Sequence, residues 1–127
     1  MAWKLNPERQ IWLQLVDVLK FRIVSGQYPA GVKLPSVREL AAEAGVNPNT
    51  MQRALAEMER EGLMFTNRTS GRYVTEDREM IEDAKRTLAN RHISAFIRQM
   101  QALGYTRQEI VAMLEEAERG EKHDANS

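Results

Sequence analysis

Asn47, Asn49, Gln52 and Arg53 lie within one short stretch, "NPNTMQR", and share a chemistry. A carboxamide presents an acceptor beside donors, and a guanidinium presents a rigid fork of donors. Groups of this kind suit the recognition of planar edges: Asn and Gln can pair bidentately with adenine, and Arg with guanine or a phosphate. Arg68 and Arg72 lie further on with Ser70 and Gly71, and between Met64 and Val74 there is no acidic side chain to offset them. Residues with catalytic potential are not grouped in this way. Asp17, Glu82 and Asp83 form no interpretable acid/base pair, and His92 and His123 have no neighbours at ligand spacing. With no cysteine there is neither a thiolate nucleophile nor a thiolate zinc site. The expectation is a binding protein with no metal, no cofactor and no enzymatic activity.

The elements around these residues follow from periodicity. "PERQIWLQLVDVLKFRIVSG" sets Trp12, Leu15, Val16, Leu19 and Ile23 on one helical face, with Pro7 near its start and Gly26 at its end. Ser36 and Glu39 form a capping box for a short second helix whose buried stripe is Val37, Leu40, Ala41 and Ala44. Gly45 is its C-cap. Asn47 then caps a third helix, with Pro48 in the first turn, where a missing N–H costs nothing. Met51, Ala54, Leu55 and Met58 give its inner face, and Gly62 ends it. After that the period changes. Leu63–Thr66 and Arg72–Thr75 are strand-like, and "NRTSG" between them is a turn cluster, so the segment predicts a β-hairpin. A long helix runs from about Asp77 to Met100, "ALGY" breaks it, and Thr106 with Glu109 caps a last helix on Ile110, Met113, Leu114 and Ala117. "RGEKHDANS" is polar and expected to fray.

Two short helices joined by a glycine turn are a helix-turn-helix, and the hairpin adds a wing. Once the apolar face is buried, the third helix turns Asn47, Pro48, Asn49, Gln52 and Arg53 outward on its first turns, the part of such a motif that enters a major groove. Thr50, Lys33 and Arg38 are placed for phosphate, Ser36, Arg68, Ser70 and Arg72 are further candidate DNA contacts, and Gly71 lets the hairpin tip come close to a phosphate backbone or the minor groove. Two bland alternatives stand beside this. Arg53 has Glu57 four residues on and could form a helix-surface ion pair. The acids of "EMEREG" read as a solvated helix end facing away from DNA rather than as a metal site. The fold class is therefore mainly α with a small β-hairpin wing. A winged helix-turn-helix domain spans 1–76, and a helical dimerisation or effector segment spans 77–127.

The whole chain has 127 residues, with eighteen basic and eighteen acidic side chains. Formal charge is zero, so a polyanion must be met by a local patch. "MAWKLNPERQ" lacks the apolar run of a signal peptide, and no stretch is long enough to span a bilayer. A cytoplasmic protein with no membrane partner is expected.

The stretch "LPSVRELAAEAGVNPNTMQRALAEMEREGLM" resembles the DNA-binding domain of the GntR family of bacterial transcription regulators, from about Ile11 to Val74, including the "GRYV" end of the hairpin. The tail, with "LGYTRQEIVAMLEEAE", is similar to the YtrA-type subfamily, in which a short helical segment serves as a dimerisation module. The resemblance implies that Arg38 contacts DNA backbone or base. It also implies that Asn47, Asn49, Thr50 and Gln52 lie at recognition-helix contacts, and Gly71 at the wing tip. Many relatives carry arginine where this chain has Pro48 and Gln52, so no arginine-to-guanine contact is carried over at those positions.

In the tail, Ile93 and Ile97 do not share the stripe of Leu88 and Phe96. One helix cannot bury both faces alone, which predicts a two-fold dimer, the alternative being a monomer in which both faces fold on the winged helix. Leu88, His92, Ile93, Phe96, Ile97, Met100, Met113 and Leu114 are its candidate contacts. Trp3, Trp12 and the methionines are expected in the core or the dimer contact. The functional expectation is a homodimeric regulator, acting as a repressor on a palindromic double-stranded DNA operator, with an unidentified small-molecule effector as an open partner. The alternative is a winged-helix adaptor that binds proteins and has no operator.

Overall fold

A computed structural model describes residues 3–126, with side chains described through residue 120. Its element order is α1 (Ile11–Val24), α2 (Val37–Ala44), α3 (Pro48–Arg60), β1 (Met64–Asn67), β2 (Gly71–Val74), α4 (Arg78–Ala102) and α5 (Arg107–Asn126). The chain forms two compact units, Met1–Arg86 and Thr87–Ser127. The first nine residues of α4 thus belong with the winged helix.

Helix α1 begins later than the periodicity implies. Pro7 lies in a turn before it, not in its first helical turn. Asn6 closes that turn by accepting the Glu8 N–H at 2.9 Å. Gln14 pins it from the helix, accepting from the Asn6 N–H and donating to the Asn6 carbonyl, both at 2.7 Å. These side-chain bonds compete with helix and delay its start. From there Leu15, Val16, Leu19 and Ile23 turn into the core.

Helix α2 is held at both ends by local chemistry. Ser36 accepts the Glu39 N–H at 3.1 Å, and the Glu39 carboxylate accepts the Ser36 N–H at 3.2 Å. At the other end Gly45 adopts φ 76°, and the amides of Gly45 and Val46 both reach the Ala41 carbonyl, at 2.9 and 3.0 Å. That closure turns the chain directly into α3, which starts on the Asn47 cap and buries Met51, Ala54, Leu55 and Met58.

The strands pair antiparallel, with Met64 opposite Val74 and Asn67 opposite Gly71. Each lies one residue from its predicted position, because Asn67 is drawn into the ladder while its side chain accepts from Thr69 in the turn. The loop before α2 joins the wing as a third edge: Leu34 donates to Arg72 at 2.8 Å, and Val74 donates to Val32 at 3.0 Å. Leu15, Leu19, Leu40, Met51, Leu55, Met58, Leu63 and Val74 are fully buried and lock the three helices and the hairpin into one core.

Trp3 and Trp12 are only partly buried and pack at the edge of this core. Trp3 lies under the Arg22 guanidinium, 4.5 Å from its ring centre, so it is a cation platform rather than a core plug. In the second unit α5 starts on a capping box between Thr106 and Glu109. It remains helical to Asn126, through most of the segment whose composition suggested fraying. His123, in that segment, lies outside the residues whose side chains are described.

Candidate nucleic-acid interface

The first turns of α3 divide cleanly by face. Met51, Ala54 and Leu55 are buried, whereas Asn47, Pro48, Asn49, Gln52 and Arg53 are exposed and Thr50 is half-buried. The Asn47 side chain is partly committed: its oxygen accepts the Asn49 N–H at 2.7 Å. The carboxamides of Asn49 and Gln52 make no bond within the described residues and are available outward.

Gln52 also borders a groove of about 420 Å³ between the start of α2, α3 and the wing. Lys33, Ser36, Ser70, Gly71 and Arg72 line the same groove. Gly71 has φ 118°, and a Cβ there would stand 3.2 Å from Cε of Lys33. The glycine therefore permits both the turn and the passage of the lysine across the wing tip. Arg38 and Arg68 are exposed, and with Lys33 they have no carboxylate partner among the described residues. They remain full positive charges in a chain with no net charge.

Arg72 is held differently. Its Nε donates to Glu59 at 3.1 Å, and its side chain is mostly buried. Glu59 also accepts from the Thr66 hydroxyl, so this one carboxylate ties α3 to both wing strands. The acids of "EMEREG" are accordingly not a free solvated end: Glu57 bonds Arg60, Glu59 bonds the wing, and Glu61 pairs with Lys20 at 2.7 Å. Arg53 does not take Glu57 either. Its guanidinium lies over the Trp12 ring, 4.2 Å from the centre. The sequence reading missed Trp12 and Gln10 as neighbours of the recognition surface, because both come from another element.

The unit Thr87–Ser127 carries a different surface. His92, Ile93, Phe96, Ile97 and Leu114 share an apolar cleft of about 650 Å³ with Ile110 and Val111. Leu88, Met100 and Met113, predicted with them, do not line it. Among the described residues no group of three or more His, Asp or Glu could hold a metal ion, and no helix is long and apolar enough to cross a membrane.

Two short helices, a capped glycine turn, a polar outward face on the second helix and a cationic hairpin together define a winged helix-turn-helix protein of the DNA-binding class. The family of bacterial regulatory proteins named for gntR matches residues 12–74. The chain is 39% identical over 106 residues to the uncharacterised transcriptional regulator YhcF of Bacillus subtilis, covering 84% of this chain and 88% of that one. It is 38% identical to the transcriptional repressor YtrA of the same organism, over 73% of this chain and 67% of that one. A solved GntR family transcriptional regulator from Listeria monocytogenes is 39% identical and superposes with a TM-score of 0.82 over 88% of this chain and 98% of its own. The chain belongs to the GntR family of DNA-binding transcription regulators and is YtrA-like; it is not an enzyme.

Proposed function

We propose that the protein is a cytoplasmic homodimeric repressor that occupies a palindromic operator. Each protomer sets the start of α3 into a major groove and its wing against the adjacent minor groove. The observation that carries this reading is the division of α3, whose inner face is wholly apolar and buried while its outer face offers unbonded amide groups that the fold does not use. Asn49 and Gln52 read base edges, the Pro48 ring meets apolar groove atoms, and Asn47 and Thr50 hold the helix start against the backbone. Lys33, Ser36, Arg38, Arg68 and Ser70 take phosphates. Gly71 brings the wing close, and Arg72, oriented by Glu59, faces the groove beside it. Repression needs only occupancy of promoter DNA, and the relative named as a repressor supports that sign of regulation.

Selection of duplexes from random DNA, followed by salt titration of binding, tests the reading. The wild-type protein should recover a two-fold symmetric site with half-sites one helical turn, or a multiple of it, apart. Arg38→Ala should weaken binding to every sequence and reduce the salt slope by about one. Gln52→Ala should relax the preference at one position per half-site, by about 1–3 kcal/mol. A wild-type protein that ignores all duplexes at low ionic strength would overturn the proposal. An unaltered salt slope in Arg38→Ala would remove that residue from the interface.

A further inference from the structure

Arg53 is anchored unlike any other cation near the outer face of α3. Lys33, Arg38 and Arg68 project from the surface, and Arg72 is neutralised by Glu59. Arg53 instead sits over the Trp12 ring, its Cζ 4.2 Å from the ring centre, and has no carboxylate partner among the described residues. The acid that its own helix offers, Glu57, is occupied by Arg60, which donates to both carboxylate oxygens at 2.5–3.1 Å. Trp12 is itself fixed, its Nε1 donating to the Gln10 side chain at 3.1 Å.

The chemical consequence is specific. A salt bridge consumes the in-plane donors of a guanidinium and cancels its charge. An aromatic ring takes only the face of the group and leaves the donor edge and the full charge pointing away. Arg53 also lines a cleft of about 450 Å³, together with Gln10, Ile11, Trp12, Asn49 and Thr50. Its polar side-chain groups are two amides, the Trp12 indole N–H, a hydroxyl and the guanidinium, and none is acidic. It shares no lining residue with the groove at the wing.

Resting on the DNA-binding reading above, we propose that this cleft is a backbone-phosphate clamp. Arg53 holds a phosphodiester through its free edge, and Trp12 is the positioning residue that keeps the guanidinium oriented without neutralising it. The groove at the wing and the cleft at α1 then give α3 two separate phosphate holds, which fix its register while Asn49 and Gln52 reach the bases.

The test uses the full chain and one duplex recovered by the wild-type protein, with affinity measured by fluorescence anisotropy across a range of salt. Arg53→Ala should weaken binding about tenfold and make the plot of log K against log salt shallower by about 0.9, the effect of one phosphate. Trp12→Leu should cost about fivefold with little change in slope, because the charge remains but is no longer oriented. Trp12→Phe should restore most of that loss. In the Arg53→Ala background, Trp12→Leu should add nothing. Arg53→Lys should keep the slope while losing affinity, since an ammonium has charge but no fork.

An unchanged slope in Arg53→Ala, or additive losses from Trp12→Leu and Arg53→Ala, would overturn the clamp. Both Arg53 variants alter an exposed side chain and decide the matter even where Trp12→Leu disturbs folding. The outcomes also separate the two readings. Absence of wild-type binding removes the DNA reading itself, whereas wild-type binding with an unmoved slope in Arg53→Ala removes the clamp alone.

Discussion

Glu57 decides what Arg53 is able to do, because it is the one acid at helical spacing that could neutralise it. Arg60 holds the Glu57 carboxylate and lowers its pKa to about 2 through charge-assisted hydrogen bonds. A folded value below the unfolded one means that the pair's contribution is complete above about 4.3 and disappears as pH falls through about 2. Carbon-detected NMR titration should therefore find the Glu57 side chain ionised through pH 3 to 4 in the native protein. Arg60→Ala, which removes the largest cause, should raise it toward the ordinary carboxylate range. An ordinary midpoint in the wild type would mean that Glu57 is not engaged in solution and is available to Arg53. The sequence showed where this competition would arise but not its outcome. Spacing along one helix offers Arg53 only Glu57, whereas its actual neighbour, Trp12, arrives through the crossing of α1 and α3. Contacts made by a residue with its own chain neighbours, such as the Ser36–Glu39 box, were legible for the opposite reason.

At the scale of elements, the turn between α2 and α3 depends most on a single residue. Gly45 has a left-handed φ of 76°, and its amide and that of Val46 both close on Ala41. A Cβ in that conformation is strained, so Gly45→Ala should destabilise folding by about 1–2 kcal/mol, read as a lower urea midpoint at unchanged slope. No loss of stability would mean that the turn relaxes to another conformation. The order and types of the elements were legible because capping boxes, glycine stops and the change of period at Leu63 are all local signals. Their edges were less so. The start of α1 is set by Gln14 reaching back to Asn6, and the wing register by Asn67 serving both ladder and turn; neither competition is visible in periodicity.

For the whole molecule, the question is what covers the apolar surface of the unit Thr87–Ser127. Ile93 is 54% exposed, Val111 48% and Leu114 51%, and α4 buries no residue along its length. These side chains converge on one cleft with Phe96 and Ile97, and a second copy of the same face would remove them from water. Phe96→Glu places a charge in that cleft and leaves Met1–Arg86 unaltered in sequence. If the homodimer proposal holds, analytical ultracentrifugation should report a dimer for the wild-type protein and the monomer mass for Phe96→Glu. Binding provides the sharper test. A dimer binds its second half-site at the effective concentration set by the first, so Phe96→Glu should lose at least about a hundredfold affinity for a two-half-site duplex. Affinity for an isolated half-site should stay the same, because each winged helix still carries its own contacts. Equal losses on both duplexes would show instead that the substitution damages the DNA-binding unit, and a Phe96→Glu protein that remains dimeric would place the subunit contact elsewhere.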